Sequence, residues 1–183
     1  MENATKALLM AASVLIGMLV LTMGVYLYST IGTYVRQSQE EIEKQSIDKF
    51  NIQFYNYLSD ENEEFSFQDV VTVANIAYSN NYKYEFPNVK FNNNGTPNIP
   101  DEIREAIANE GKNDYVQVIV KGYMIDEENS TNNQMNLEMY VGTPKILADT
   151  LKKNYSLKYK CVGVETSSET KKVYKISFTK IEI

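Results

Sequence analysis

Apolar and polar positions follow three regimes along the chain. From position 7 to 35 no side chain is charged, and eleven Leu, Ile and Val residues lie between positions 8 and 31. At about 1.5 Å per helical residue this run exceeds the roughly 20 residues that a bilayer requires, so it predicts a membrane-spanning helix. From 36 to 58 apolar residues recur every three to five positions, as Ile42, Ile47, Phe50, Phe54 and Leu58, among Glu, Gln, Lys and Asn. Proline is absent from 7–58, so the pattern predicts one helix continuing as an amphipathic extension, with Phe50 and Phe54 buried against a head. The third regime, 59–183, mixes helical and alternating periods.

Within that body, residues 59–64 read as a turn, and Ser66 with Asp69 as a capping box opening a helix over 67–80 with Val70, Val73, Ala74 and Ala77 inward. Residues 81–98 suggest a short edge strand and an exposed loop. Pro100, Asp101 and Glu102 open a helix closing at Gly111, with Ile103, Ala106 and Ile107 on its inner face. Alternation predicts strands at 115–124 (Val116, Val118, Val120) and 136–142 (Leu137, Met139, Val141), joined by a polar tip. A helix follows over 144–155, begun by Pro144 after a Thr143 N-cap. A second hairpin pairs 157–165 with 172–183. The expected class is α+β: helices packed on an antiparallel sheet of about four strands. Four segments result: a short cytoplasmic tail (1–6), the transmembrane helix (7–35), its extension (36–58) and an extracytoplasmic domain (59–183).

Composition narrows the chemistry. The net charge of -6, with lysines spread among the acids, argues against a nucleic-acid partner. No histidine is present, which removes the commonest general base and metal ligand. The single cysteine, Cys161, builds neither a disulfide nor a zinc framework and reads as a small apolar strand residue. Asp60, Asn62 and Glu64 miss the calcium-loop pattern, because Phe65 stands where its glycine belongs. The Asp126, Glu127, Glu128 tip reads as a solvated turn, and the tyrosines at 78, 82, 84 and 123 as packing rings. The tripeptides at Asn3, Asn94, Asn129 and Asn154 match glycosylation acceptors at the frequency an Asn-rich chain supplies by chance. No catalytic, cofactor or metal group is expected. The abundance of Asn, Lys, Ile and Tyr points to an AT-rich bacterial genome.

The apolar run is too long for a cleaved secretory signal and lacks a small-residue cleavage site, so it reads as an uncleaved anchor in the cell membrane. Lys6 and the amino terminus precede it; Arg36 and then Glu40, Glu41 and Glu43 follow. The positive-inside rule therefore places the N-terminus in the cytoplasm and the body outside. Tyr26, Tyr28 and Tyr34 suit the far interface. Ser13, Gly17 and Gly24 share one stripe, which permits close helix–helix packing in lipid with further copies or other membrane subunits.

The plan of short polar leader, apolar helix, amphipathic continuation and strand-rich head resembles type IV pilins and pseudopilins. Lys6, Ala7, Leu8 and Leu9 carry the resemblance, because pilin-like leaders are cut after a charged residue and a Gly or Ala, just before the apolar run. It implies a processing site at Lys6, Ala7 and Leu8 and a subunit of a surface filament. The chain departs from the bacterial pattern at the fifth position counted from Leu8, where Ala12 replaces the usual Glu. Two functions follow as expectations: a single-pass structural or interaction subunit of a filament or membrane assembly, or a membrane-tethered domain binding an extracellular ligand or peptide. Neither is an enzyme.

Overall fold

The computed structural model describes residues 2–58, 63–92, 95–123 and 133–181. The chain divides into two compact units, Met1–Ser46 and Ile47–Ile183, and helix α1 (Glu2–Tyr55) supplies residues to both. The predicted extension to Leu58 ends three residues earlier as helix, since Tyr57 and Leu58 donate to the carbonyls of Phe54 and Tyr55 in a tightening last turn. Phe54 is fully buried and Phe50 packs beside it, ring centroids 5.1 Å apart, as the pattern requires. Ile42 and Leu58, expected on the same face, are exposed.

In the second unit β1 (Phe65–Ser66) leads into α2 (Phe67–Lys83). The predicted capping box is present: Asp69 N–H donates to Ser66 Oγ at 3.3 Å, and Ser66 N–H donates back to Asp69 Oδ2 at 2.9 Å. The helix runs three residues past the expected end and closes in a Schellman-type turn, Phe86 N–H donating to Asn81 O, with Glu85 in the left-handed region at φ 61° where glycine is usual. A two-stranded ribbon, β2 (Lys90–Phe91) and β3 (Pro97–Asn98), takes the place of the expected edge strand. Helix α3 (Asp101–Ala108) buries Ile103 and Ala106, and the chain then turns at Gly111. Gly111 has φ +78° and a Cβ there would sit 2.9 Å from the Tyr174 ring, so both backbone and space demand glycine.

The remaining elements are β4 (Gln117–Lys121), β5 (Gln134–Asn136), α4 (Glu138–Val141), α5 (Pro144–Asn154), β6 (Lys158–Thr166) and β7 (Val173–Lys180). Two expectations need correction. The sheet has five strands in the order β1-β6-β7-β4-β5 and is mixed, since β4 and β7 run parallel with Val118 opposite Ile176. The two most buried strands take the centre, and β7, turned back from β6, runs the same way as β4. The strand expected over 136–142 stops at Asn136. Leu137 N–H still donates to Val118 O at 2.9 Å, but the next donor on β4, Val118 N–H, is taken at 2.8 Å by the Glu138 carboxylate instead of a backbone carbonyl. The backbone is thereby released into the short helix α4, and Leu137 and Met139 fall into different apolar clusters. Helix α5 starts with Pro144 as predicted, although Thr143 makes no side-chain cap.

The main core joins α2, the end of α1 and one face of the sheet, with Phe67, Val70, Val118, Tyr159, Ile176 and Phe178 fully buried. Two asparagines enter that region. Asn51 of α1 donates to Lys171 O and accepts from Val173 N–H, both at 2.8 Å. Asn81 of α2 donates to Val116 O at 2.9 Å and accepts from Val116 N–H at 2.8 Å. Each amide thus supplies the two hydrogen bonds that a residue of a neighbouring strand would give, one at the start of β7 and one at the start of β4.

Asn81→Ala leaves both backbone groups of Val116 without partners in a buried place and is expected to destabilise the chain by about 2–4 kcal/mol in urea unfolding. Glu85→Gly relieves the left-handed backbone and should stabilise it by about 1 kcal/mol in the same measurement.

Candidate functional site

The first unit is one helix whose apolar surface has no cover. Every large apolar side chain from Leu8 to Val35 is exposed, and α1 is the one helix among the described residues long and apolar enough to cross a membrane, a test that a signal sequence also passes. An exposed apolar surface of this extent requires lipid or protein against it. Three of its hydroxyls turn back on their own helix: Ser13 donates to Met10 O at 2.8 Å, Thr22 to Met18 O and Leu19 O at 3.0 Å, and Thr33 to Ser29 O at 3.1 Å. Such back-bonding satisfies polar side chains where water is missing.

Ser13, Gly17 and Gly24 fall within about 40° of one another around the helix, at 100° per residue. A Cβ at Gly17 or Gly24 would meet nothing within 4 Å, so the stripe is an open, smooth strip. Lys6 pairs with Glu2 at 3.1 Å, and the candidate processing residues Lys6, Ala7 and Leu8 all lie exposed within α1.

In the second unit the polar feature that stands apart is Glu138, 1 % exposed. Val118 N–H donates to its Oε2 at 2.8 Å, while Tyr115 Oη–H and the Asn136 amide donate to Oε1, each at 3.2 Å. Four hydrogen bonds, one of them from its own backbone, favour the carboxylate, yet burial outweighs them and pushes its pKa up to about 7. The same burial, together with the nearby Glu138 charge, pushes the Tyr115 hydroxyl far up. No Lys or Arg among the described residues pairs with Glu138.

Glu138 lines a cavity of about 20 Å³, the size of one water, together with Tyr78, Asn81, Phe86, Tyr115 and Met139. The cavity shares Tyr82, Phe86, Pro87 and Asn88 with an open groove at the end of α2. Of the tyrosines read as packing rings, Tyr78 stacks on Tyr82 and donates to Asn88 Oδ1 at 3.0 Å, while Tyr82 itself is 67 % exposed. Tyr84 lies under Lys172 and bonds it, and Lys172 also pairs with Asp114 at 2.6 Å. Tyr123 packs against the main core.

Several other sequence features resolve plainly. Asn154 is fully buried, donating to Thr150 O and accepting from Tyr159 Oη–H, so it presents no amide to a glycan. Cys161 is half-buried against the core and burial pushes its thiol up. Asn94, Asn129, Asp60, Asn62 and the Asp126–Glu128 tip lie outside the described residues. Glu138 escaped the sequence reading because, in an alternating strand, a Glu between Leu137 and Met139 belongs on the wet face.

Glu138 fixes a pH dependence. A carboxyl whose folded pKa lies above its ordinary value of 4.5 adds stability fully below that value and loses it as pH rises toward 7. Tyr115 from the approach to β4 and Asn136 from β5 face the group, with no cation among them. The stability difference between wild type and Glu138→Gln should therefore shift by roughly 3 kcal/mol against wild type between pH 4 and pH 8, read from unfolding curves at both.

No protein-family model matches this chain, and no characterised protein or solved structure is detectably similar to it.

Proposed function

We propose that the chain is a single-pass membrane protein with a cytoplasmic N-terminus and an extracytoplasmic α+β head, acting as a structural subunit of a surface filament or membrane assembly. The observation that carries this reading is the continuous exposed apolar surface between Leu8 and Val35, within which Ser13, Thr22 and Thr33 bond to their own helix. Lipid is the solvent such a surface suits, and the open strip of Ser13, Gly17 and Gly24 suits the close approach of a second apolar helix. The orientation rests on Lys6 before the span and Glu40, Glu41 and Glu43 after it. The likeness to pilin-like leaders at Lys6, Ala7 and Leu8 supports the filament form of this reading. No reaction is assigned.

A second reading, a tethered domain that captures a ligand outside the cell, is favoured by the cleft beside Glu138. It shares the anchor and differs in what the head does.

The mature N-terminus decides between a processed filament subunit and a plain anchor. Mass spectrometry of the chain purified from its cells should find it beginning at Leu8, and the sheared surface fraction should contain it. Gly17→Ile should leave membrane insertion intact and reduce cross-linked oligomers. A chain beginning at Met1, monomeric in mild detergent and missing from sheared material, overturns the filament reading while leaving the anchor in place. An accessibility label on intact cells that fails to reach the head overturns the orientation.

A further inference from the structure

Glu138 is a buried carboxyl with hydrogen-bond donors but no Lys or Arg partner among the described residues, and burying it as an anion without a cation is costly. Its two oxygens are unequally engaged. Oε2 accepts from Val118 at 2.8 Å, whereas both bonds to Oε1 are stretched to 3.2 Å. Next to the carboxylate lies a cavity the size of one water, walled by the rings of Tyr78, Phe86 and Tyr115. A water there would add a hydrogen bond and leave the charge uncompensated. A hard divalent ion needs six or more oxygen ligands, and the neighbours of Glu138 turn hydrogens toward it, not lone pairs. An ammonium group is water-sized, brings N–H donors and the missing positive charge, and is favoured by aromatic faces.

The cavity shares Tyr82, Phe86, Pro87 and Asn88 with the open groove, whose lining also includes Lys83 and Glu85, and an apolar stem can lie there against exposed ring surface. We propose that this cleft binds a primary ammonium group on an unbranched alkyl stem, with the ammonium against Glu138 and the stem along Tyr82, Phe86 and Pro87. A lysine side chain and a linear diamine share that chemistry. The inference is independent of the anchor and goes beyond it.

The test uses the full chain in detergent micelles at pH 8 and fixed ionic strength, with melting temperature followed against n-butylammonium, cadaverine, Nα-acetyl-lysine amide, tetramethylammonium and n-butanol. The primary amines should raise the melting temperature saturably, and tetramethylammonium and butanol should not. A stronger response to acetyl-lysine amide than to cadaverine identifies a peptide lysine as the source, and the reverse identifies a free diamine. Glu138→Gln should weaken the response by at least about tenfold, the worth of one charge-assisted hydrogen bond. Tyr82→Ala, a surface change, should weaken it as well while leaving the ligand-free melting temperature nearly unchanged. An equal response to tetramethylammonium or butanol, none to any primary amine, or an undiminished response in Glu138→Gln overturns the proposal. Should Glu138→Gln fail to fold, an undiminished response in Tyr82→Ala overturns it instead.

Discussion

Two parallel strands cannot be joined by a tight turn, and the head is built around meeting that condition for β4 and β7. The parallel ladder begins only at Gln117 and Lys175, so it does not reach the entering ends of the two strands. Two asparagines do so from outside the sheet. Asn81 grips Val116, one residue before β4, and Asn51 grips the backbone on either side of Lys172, where β7 begins. Because one comes from α2 and the other from the end of α1, the same bonds that fix the strands also fix the helices on the sheet's apolar face. Phe54 and Phe67 then close the core between them.

Local chemistry was legible in the sequence wherever one principle acted alone. The Ser66–Asp69 box, the Pro144 start and the alternation of Val116, Val118 and Val120 each carry a backbone signal that no distant residue overrides. The order and sense of the strands were not legible, because antiparallel hairpins predict only their own partners and say nothing of which hairpin edge meets which. The misreading of 136–142 has a sharper cause. Leu137, Met139 and Val141 alternate as a strand should, but a side-chain carboxylate occupies the next rung of the ladder and the backbone leaves. Of the candidate site, the Ser13, Gly17 and Gly24 stripe could be read from spacing alone, whereas the cleft depends on residues from α2, α3 and α4 that only the fold brings together.

Glu138 therefore links three levels. Its carboxylate ends β5, its neighbours define the position of α4, and its uncompensated charge gives the cleft a chemical preference. An apolar residue there would leave the Val118 N–H, the Tyr115 hydroxyl and the Asn136 amide without this acceptor.

The parallel pairing also bears on the order in which the chain is made. β7 occupies the centre of the sheet but follows every other strand, so until residues 173–180 have left the ribosome β4 has no inner neighbour and β6 none either. The apolar helix is synthesised before the head, and the head has to wait for its keystone. Partial heads are thus exposed edges by construction, and the cell that makes this chain must keep them apart until synthesis is complete.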